Sequence, residues 1–397
     1  MQYKSATQEK FNSSNAARLK IIIHHSQRFF MKYVSEFRSP EIVDVLLKEI
    51  KQTAKGNWHI MEVCGGQTHS LVKNGILNML PDNVQMIHGP GCPVCVTPVN
   101  LIDKAVHLAM EKNVILCSYG DMIRVPGSGM SLLEAKSKGG DVRILYSPLE
   151  AVKIAKENPN REVVFFAVGF ETTAPANALS VVHAHREGVK NYSILTSHVL
   201  VPPAMEAIMS DEDCRVDAFL AAGHVCTIMG ISEYYPLVEK YKIPIVVTGF
   251  EPVDLLEGIL LTVKQLEKKE HKLENQYTRV VEAEGNIHAI ATIDKIFEVT
   301  DREWRGIGNI PFSGYKVKNE YSDYDANKKF NINIAEAHED PTCLSGDVMK
   351  GKIKPNQCPN FGSKCTPVKP LGAPMVSSEG ACAAYYHFNL ATALAEE

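Results

Sequence analysis

Cys92-Pro93-Val94-Cys95 sets two thiols three positions apart, a spacing shared by thiol-disulfide redox pairs and by half of a zinc site. Thr97 and Pro98 follow and read as the N-cap and first residue of a helix. Cys95 would then stand just before a helix N-terminus, whose partial positive charge favours a thiolate. No second CxxC or HxxxH completes an evident zinc site, although Cys64, His69 or His88 could approach in space. This favours the redox pair. Cys64 follows an apolar run and precedes Gly65-Gly66, with Gln67, Thr68 and His69 opening the next helical stretch. Glycines admit close approach of backbone or ligand, which suits a ligating thiol better than an inert buried one.

A third group of cysteines lies late in the chain. Cys343, Cys358, Cys365 and Cys382 are separated by fourteen, six and sixteen residues. Four thiolates satisfy a 4Fe-4S cluster and equally a tetrahedral zinc ion, so ligand type alone leaves the metal open. The surrounding stretch, 341–374, is rich in Cys, Pro and Gly, as in a domain organised by something other than its apolar core. Cys117, Cys214 and Cys226 belong to no such constellation. The apolar run 21–23 is too short for a secretory signal, so residues 1–30 read as a disordered extension before a domain start at Met31. Ten cysteines without an export signal imply reduced thiols and a cytoplasmic location.

Elements must hold these residues in place. Short apolar, β-branched runs at 59–63, 84–87, 114–117, 142–145, 163–168, 193–196, 218–221 and 244–248 alternate with helix-period segments, the α/β pattern. The runs are continuously apolar, as in parallel strands covered on both faces. The series is long for one small sheet, and the Gly-, Lys- and Ser-rich loop 128–140 suggests a seam. The division expected is therefore 31–145, 146–270 and a C-terminal domain 271–397. Gly169-Phe170-Glu171 and Gly249-Phe250-Glu251 form a weak echo, each between a strand and a helix. Cys64, His88, Cys92, Cys117, His198 and His224 also lie at strand ends, where open α/β sheets bind ligands.

Composition narrows the function classes. Apolar residues at 45% and charged residues at 22% are ordinary for globular proteins, and the net charge of −4 supplies no basic stripe for nucleic acid. The longest apolar runs are of strand length, far short of the roughly 20 residues of a membrane-spanning helix.

The strings CGGQTH (64–69), GPGCPVCVTP (89–98), GFETTAP (169–175) and AAGHV (221–225), with the late cysteine spacing, closely resemble the HypD family of nickel-iron hydrogenase maturation factors. The resemblance runs from Met31 to the C-terminus. It implies two Rossmann-like α/β domains flanking a cleft and a smaller third domain holding a 4Fe-4S cluster on Cys343, Cys358, Cys365 and Cys382. It further implies a complex with HypC that carries iron while cyanide, delivered through HypF and HypE, and carbon monoxide are added. The Fe(CN)2CO group then passes to the hydrogenase large subunit. By matching motif, Cys64 is the expected iron ligand, and Cys92 and Cys95 a thiol-disulfide pair that exchanges electrons with the cluster and also touches the iron. His69, Glu171, Thr172, His198, His224 and Glu251 would line the cleft, with Asp121 and Arg124 of similar standing. Such a protein is a scaffold with redox chemistry rather than a free-standing enzyme. The competing expectation is a zinc-stabilised module that only docks partners.

Overall fold

The computed structural model describes residues 35–334 and 337–395. The expected disorder of residues 1–30 lies outside them. All eight strands expected from the apolar runs form, as β1 (Trp58–Glu62), β2 (Val84–His88), β3 (Val114–Ser118), β4 (Val142–Ile144), β5 (Glu162–Gly169), β6 (Tyr192–His198), β7 (Ala218–Ala222) and β8 (Ile245–Thr248). Three more follow: β9 (Leu273–Asn275), β10 (Phe297–Trp304) and β11 (Gly308–Val317).

They build two all-parallel sheets and a hairpin. The first sheet runs β2-β1-β7-β8-β9, the second β4-β3-β5-β6, and β10 pairs antiparallel with β11. The chain thus leaves the first sheet after β2, builds the whole second sheet, and returns to the first at β7. This departs from the expected division at residue 145, which falls inside the second sheet, between β4 and β5. The loop 128–140 is no seam but part of the β3–β4 crossover. It carries the helix Leu132–Ser137, whose start is closed by a Ser131–Glu134 capping box.

Burial explains the continuous apolar runs. One face of the first sheet packs on helices Pro40–Thr53 and Pro252–Glu267 through Ile42, Leu46, Ile50, Leu256, Ile259 and Val263. The spacing of three and four residues between them places these side chains on one helical stripe. Ser39 and Pro40 start the first of these helices, Ser39 Oγ accepting from the Ile42 N–H at 3.4 Å. The opposite face joins Met61, Cys64, Cys92, Cys95, Phe219 and Trp304 in one apolar cluster.

Residues beyond 270 are distributed rather than gathered into one domain. Strand β9 completes the first sheet, whereas the hairpin belongs to the second: Phe297, Tyr315 and Val317 enter its core, and Leu200 N–H donates to Ser313 O at 2.9 Å. The last helix, Ala381–Ala395, returns to the first sheet and packs on helix Gly65–Lys73. No helix among the described residues is long and apolar enough to cross a membrane.

Candidate functional site

Cys64 closes the extended stretch after β1 and is the N-cap of helix Gly65–Lys73. Its side chain is 3% exposed, and its Sγ lies 3.6 Å from His224 Nδ1. His224 comes from the start of helix Gly223–Met229 after β7, the neighbour of β1 in the sheet, so parallel pairing brings the two strand ends together. Phe250, after β8, closes the far side against the His224 ring. Burial pushes the Cys64 thiol up to about 12, reinforced by Glu379 and Glu62 and opposed by N–H groups of Gln67 and Gly66. Burial also lowers His224 to about 4. At neutral pH the pair is therefore a thiol beside a neutral imidazole, and a metal ion would have to displace the thiol proton to bind.

The CxxC loop leans directly on Cys64. Gly65 N–H donates to Gly91 O at 2.7 Å. A Cβ on Gly91 would stand 2.3 Å from Cys64 N and 2.4 Å from its Cα, so only glycine allows this approach. Gly91→Ala should cost about 1–3 kcal/mol, the usual range for overpacking, read as a lower urea midpoint with unchanged slope. Cys92 and Cys95 are joined as a disulfide, their Cα atoms 5.2 Å apart. The helix start differs from expectation. Thr97 Oγ1 donates back to Pro93 O and closes a separate short helix, Pro93–Val96, so Cys92 is its N-cap and Pro98 caps the following helix, Val99–Met110. Cys92, not Cys95, stands at a helix start, and its sulfur accepts the Cys95 N–H at 3.3 Å.

Beyond the disulfide are the four late cysteines. Cys343, Cys358, Cys365 and Cys382 line one small cavity, with Pro374 and Met375 in its wall. The turn Ala373–Met375 packs on the Pro93–Val96 helix, so the disulfide lies between the Cys64 loop and this cavity. Asn360 straps the loops, its Nδ2 donating to Thr342 O at 2.9 Å while its carbonyl accepts from Cys365 N–H. Leu371 N–H donates to Cys365 Sγ at 3.4 Å. Gly372 passes so close to Cys343 that a Cβ would meet its sulfur at 2.4 Å. Burial and the other three thiols all push Cys382 up. Among the described residues no three His, Cys, Asp or Glu side chains form a ready-made metal group. Even so, four soft donors around one cavity with an N–H aimed at sulfur fit a thiolate-held cluster or ion.

The remaining candidates scatter. His69 Nδ1 is 3.0 Å from Ser378 O and its ring meets Phe388 edge-on, tying the Cys64 helix to the last helix. Asp121 accepts from Ser377 Oγ at 2.8 Å and Arg124 donates to Val376 O at 3.0 Å, so both hold the turn before Cys382. His198 is fully buried against Phe297 and Tyr315, with Asn177 at 2.9 Å. Glu251 is bound by Arg38 and caps helix Pro252–Glu267; Thr172 is half-buried in the turn before helix Ala174–Arg186. The two halves of the Gly-Phe-Glu echo therefore do different work. Glu171 is buried, and its Oε1 accepts from Val201 N–H at 2.9 Å where the chain crosses back to the first sheet.

Burial raises Glu171 to about 8 from an ordinary value of 4.5. The folded chain then keeps a proton that the unfolded chain has released, so stability falls as pH rises from about 4.5 to 8. Glu171→Gln should flatten that decline, by up to about 1.4 kcal/mol per pH unit, in urea titrations across the window.

Residue reading passed over Glu62, Tyr385 and Glu379. Glu62 had a visible signal: a carboxylate inside the apolar run 58–63, two residues from Cys64 and thus on the same strand face. Glu379 and Tyr385 had none, because they reach Cys64 and His88 only through the packing of the last helix.

Fold and site define an α/β protein of two parallel sheets whose candidate reactive groups are thiols gathered at and beyond the strand ends of the first. The family described as "HypD: Hydrogenase formation hypA family" matches residues 41–389, and the chain belongs to it. It is 46% identical over 368 residues to the hydrogenase maturation factor HypD2 of Bradyrhizobium diazoefficiens, covering 90% of this chain and 97% of that one. It is also 46% identical to HypD of Azotobacter vinelandii, over 90% and 97% of the two chains, and 45% identical to HypD of Escherichia coli K12, over 90% and 98%.

Proposed function

We propose that this chain serves hydrogenase maturation as the cytoplasmic scaffold on which iron is held while it receives cyanide and carbon monoxide. The iron is its cargo, shared with HypC, supplied with cyanide through HypF and HypE, and destined for the hydrogenase large subunit. The observation that carries this reading is the contiguity of a buried thiol, a disulfide and a four-thiol cavity on adjoining loops. Cys64 is the iron ligand. A thiolate is a soft donor suited to iron bearing strong-field diatomic ligands, and the neutral His224 imidazole lies within hydrogen-bond reach of the Cys64 sulfur.

Cys343, Cys358, Cys365 and Cys382 hold a 4Fe-4S cluster, which supplies one-electron chemistry when bound. The Leu371 N–H at Cys365 favours negative charge on that sulfur. Opening the Cys92–Cys95 bond takes two electrons and two protons and yields two thiols, so the pair stores reducing equivalents between cavity and cargo. The test is infrared spectroscopy of the anaerobic complex with HypC, with HypE and HypF supplied. Bands of iron-bound cyanide and carbon monoxide are expected. A complex that carries iron but shows neither band would overturn the reading.

A further inference from the structure

Behind Cys64 runs a buried polar chain that the iron chemistry does not require. Glu62, at the end of β1, is 0% exposed; its Oε1 accepts from Thr68 Oγ1 at 2.8 Å and is bonded to His88 Nδ1. His88, at the end of β2, is 4% exposed and meets the Tyr385 hydroxyl through Nε2 at 2.9 Å. A carboxylate only accepts, so Nδ1–H donates to Glu62, and Nε2 shares a hydrogen bond with the Tyr385 hydroxyl. Every link joins a different element, and each element leads to a sulfur. Cys64 follows Glu62 by two residues, Cys92 follows His88 by four, and Cys382 lies one helical turn before Tyr385.

The other carboxylate oxygen of Glu62 has no hydrogen-bond partner among the described residues, so the chain is an expensive way to hold these elements together. Apolar side chains alone would do so at lower cost; Val72, Ala384 and Tyr385 already form an apolar contact there. What hydrogen bonds add is direction and a fixed length.

We propose that Glu62, His88 and Tyr385 form a positioning strut that locks the Cys382 helix to the Cys64 and Cys92 loops, so that breaking any one link frees the Cys64 loop. The proposal rests on reading Cys64 as the reactive thiol. Its test needs no cargo, so the infrared experiment and this one fail independently.

The test follows iodoacetamide alkylation of Cys64 in the full-length, anaerobically purified chain, peptide by peptide in mass spectra. Cys226, fully buried in the same apolar cluster, reports general loosening. Tyr385→Phe and Glu62→Gln should each speed Cys64 alkylation about tenfold, the scale of one lost buried hydrogen bond, with Cys226 unchanged. Because both cut one chain, the double variant should be no faster than either alone. Tyr386→Phe, on the neighbouring helix position, should match wild type. Three results would overturn the strut: an unchanged Cys64 rate in Tyr385→Phe, single effects that multiply in the double variant, or a parallel rise at Cys226. Tyr385→Phe removes one hydroxyl and decides the question alone if Glu62→Gln fails to fold.

Discussion

Cys64→Ala should abolish the infrared bands of cyanide- and carbon monoxide-bearing iron in the HypC complex while leaving the visible absorption of the four-cysteine site intact. The expected effect is complete loss, because alanine removes the soft donor and a strong-field iron centre has no equivalent replacement at that strand end. The separation of readouts follows from the geometry. Cys64 belongs to the β1 loop, whereas the cavity cysteines come from residues 343–382, with the disulfide helix between the two groups. Cys64→Ser sharpens the result. It nearly preserves size and can still bond His224, yet offers a hard oxygen, so the bands should again be lost. Persistence of full-intensity bands in either variant would show that the iron is held elsewhere.

Cys365→Ala should remove the iron of the four-cysteine site, its visible absorption and the order of the loops around it. Between residues 339 and 380 the only helices are Ser345–Met349, Pro355–Gln357 and Ala373–Met375, each a single turn or so. Such a segment has little regular structure of its own, and on the proposed reading metal-thiolate bonds would stabilise it, coupling metal binding to local folding. Cys365 is the most telling of the four, since it also receives N–H groups through its sulfur and bonds Asn360 through its own N–H. Limited proteolysis should cut the variant within this segment while the two parallel sheets stay resistant. Metal analysis of the wild-type chain settles which metal does this. Zinc in place of iron, without visible absorption, would favour the zinc-stabilised docking module and remove the electron store.

Much of this protein was written in local chemistry. Eight parallel strands were legible because each is a short, continuously apolar, β-branched run. The cysteine groups were legible because spacing and neighbouring glycines survive in one dimension. Strands β9 to β11 were not, since Leu273–Asn275 is polar and the hairpin alternates buried and exposed positions, a weak signal beside the others. Cys95 was misplaced relative to its helix because a hydroxyl bond from Thr97, rather than composition, ends the short turn Pro93–Val96 that contains it.

What the sequence by itself determined was the inventory: an α/β chain, three sets of sulfur, and strand ends as the location of the first two. Tertiary structure alone decided the partners. Strands of both sheets have the same apolar character, so nothing local says that β1 pairs with β7 rather than with β3, and the expected boundary near residue 145 failed for that reason. The same long-range pairing sets His224 beside Cys64, and the return of the last helix brings Tyr385 to His88. Those contacts join residues 160 and 297 positions apart, and only the closed sheet and the docked helix bring such distant side chains within hydrogen-bond reach.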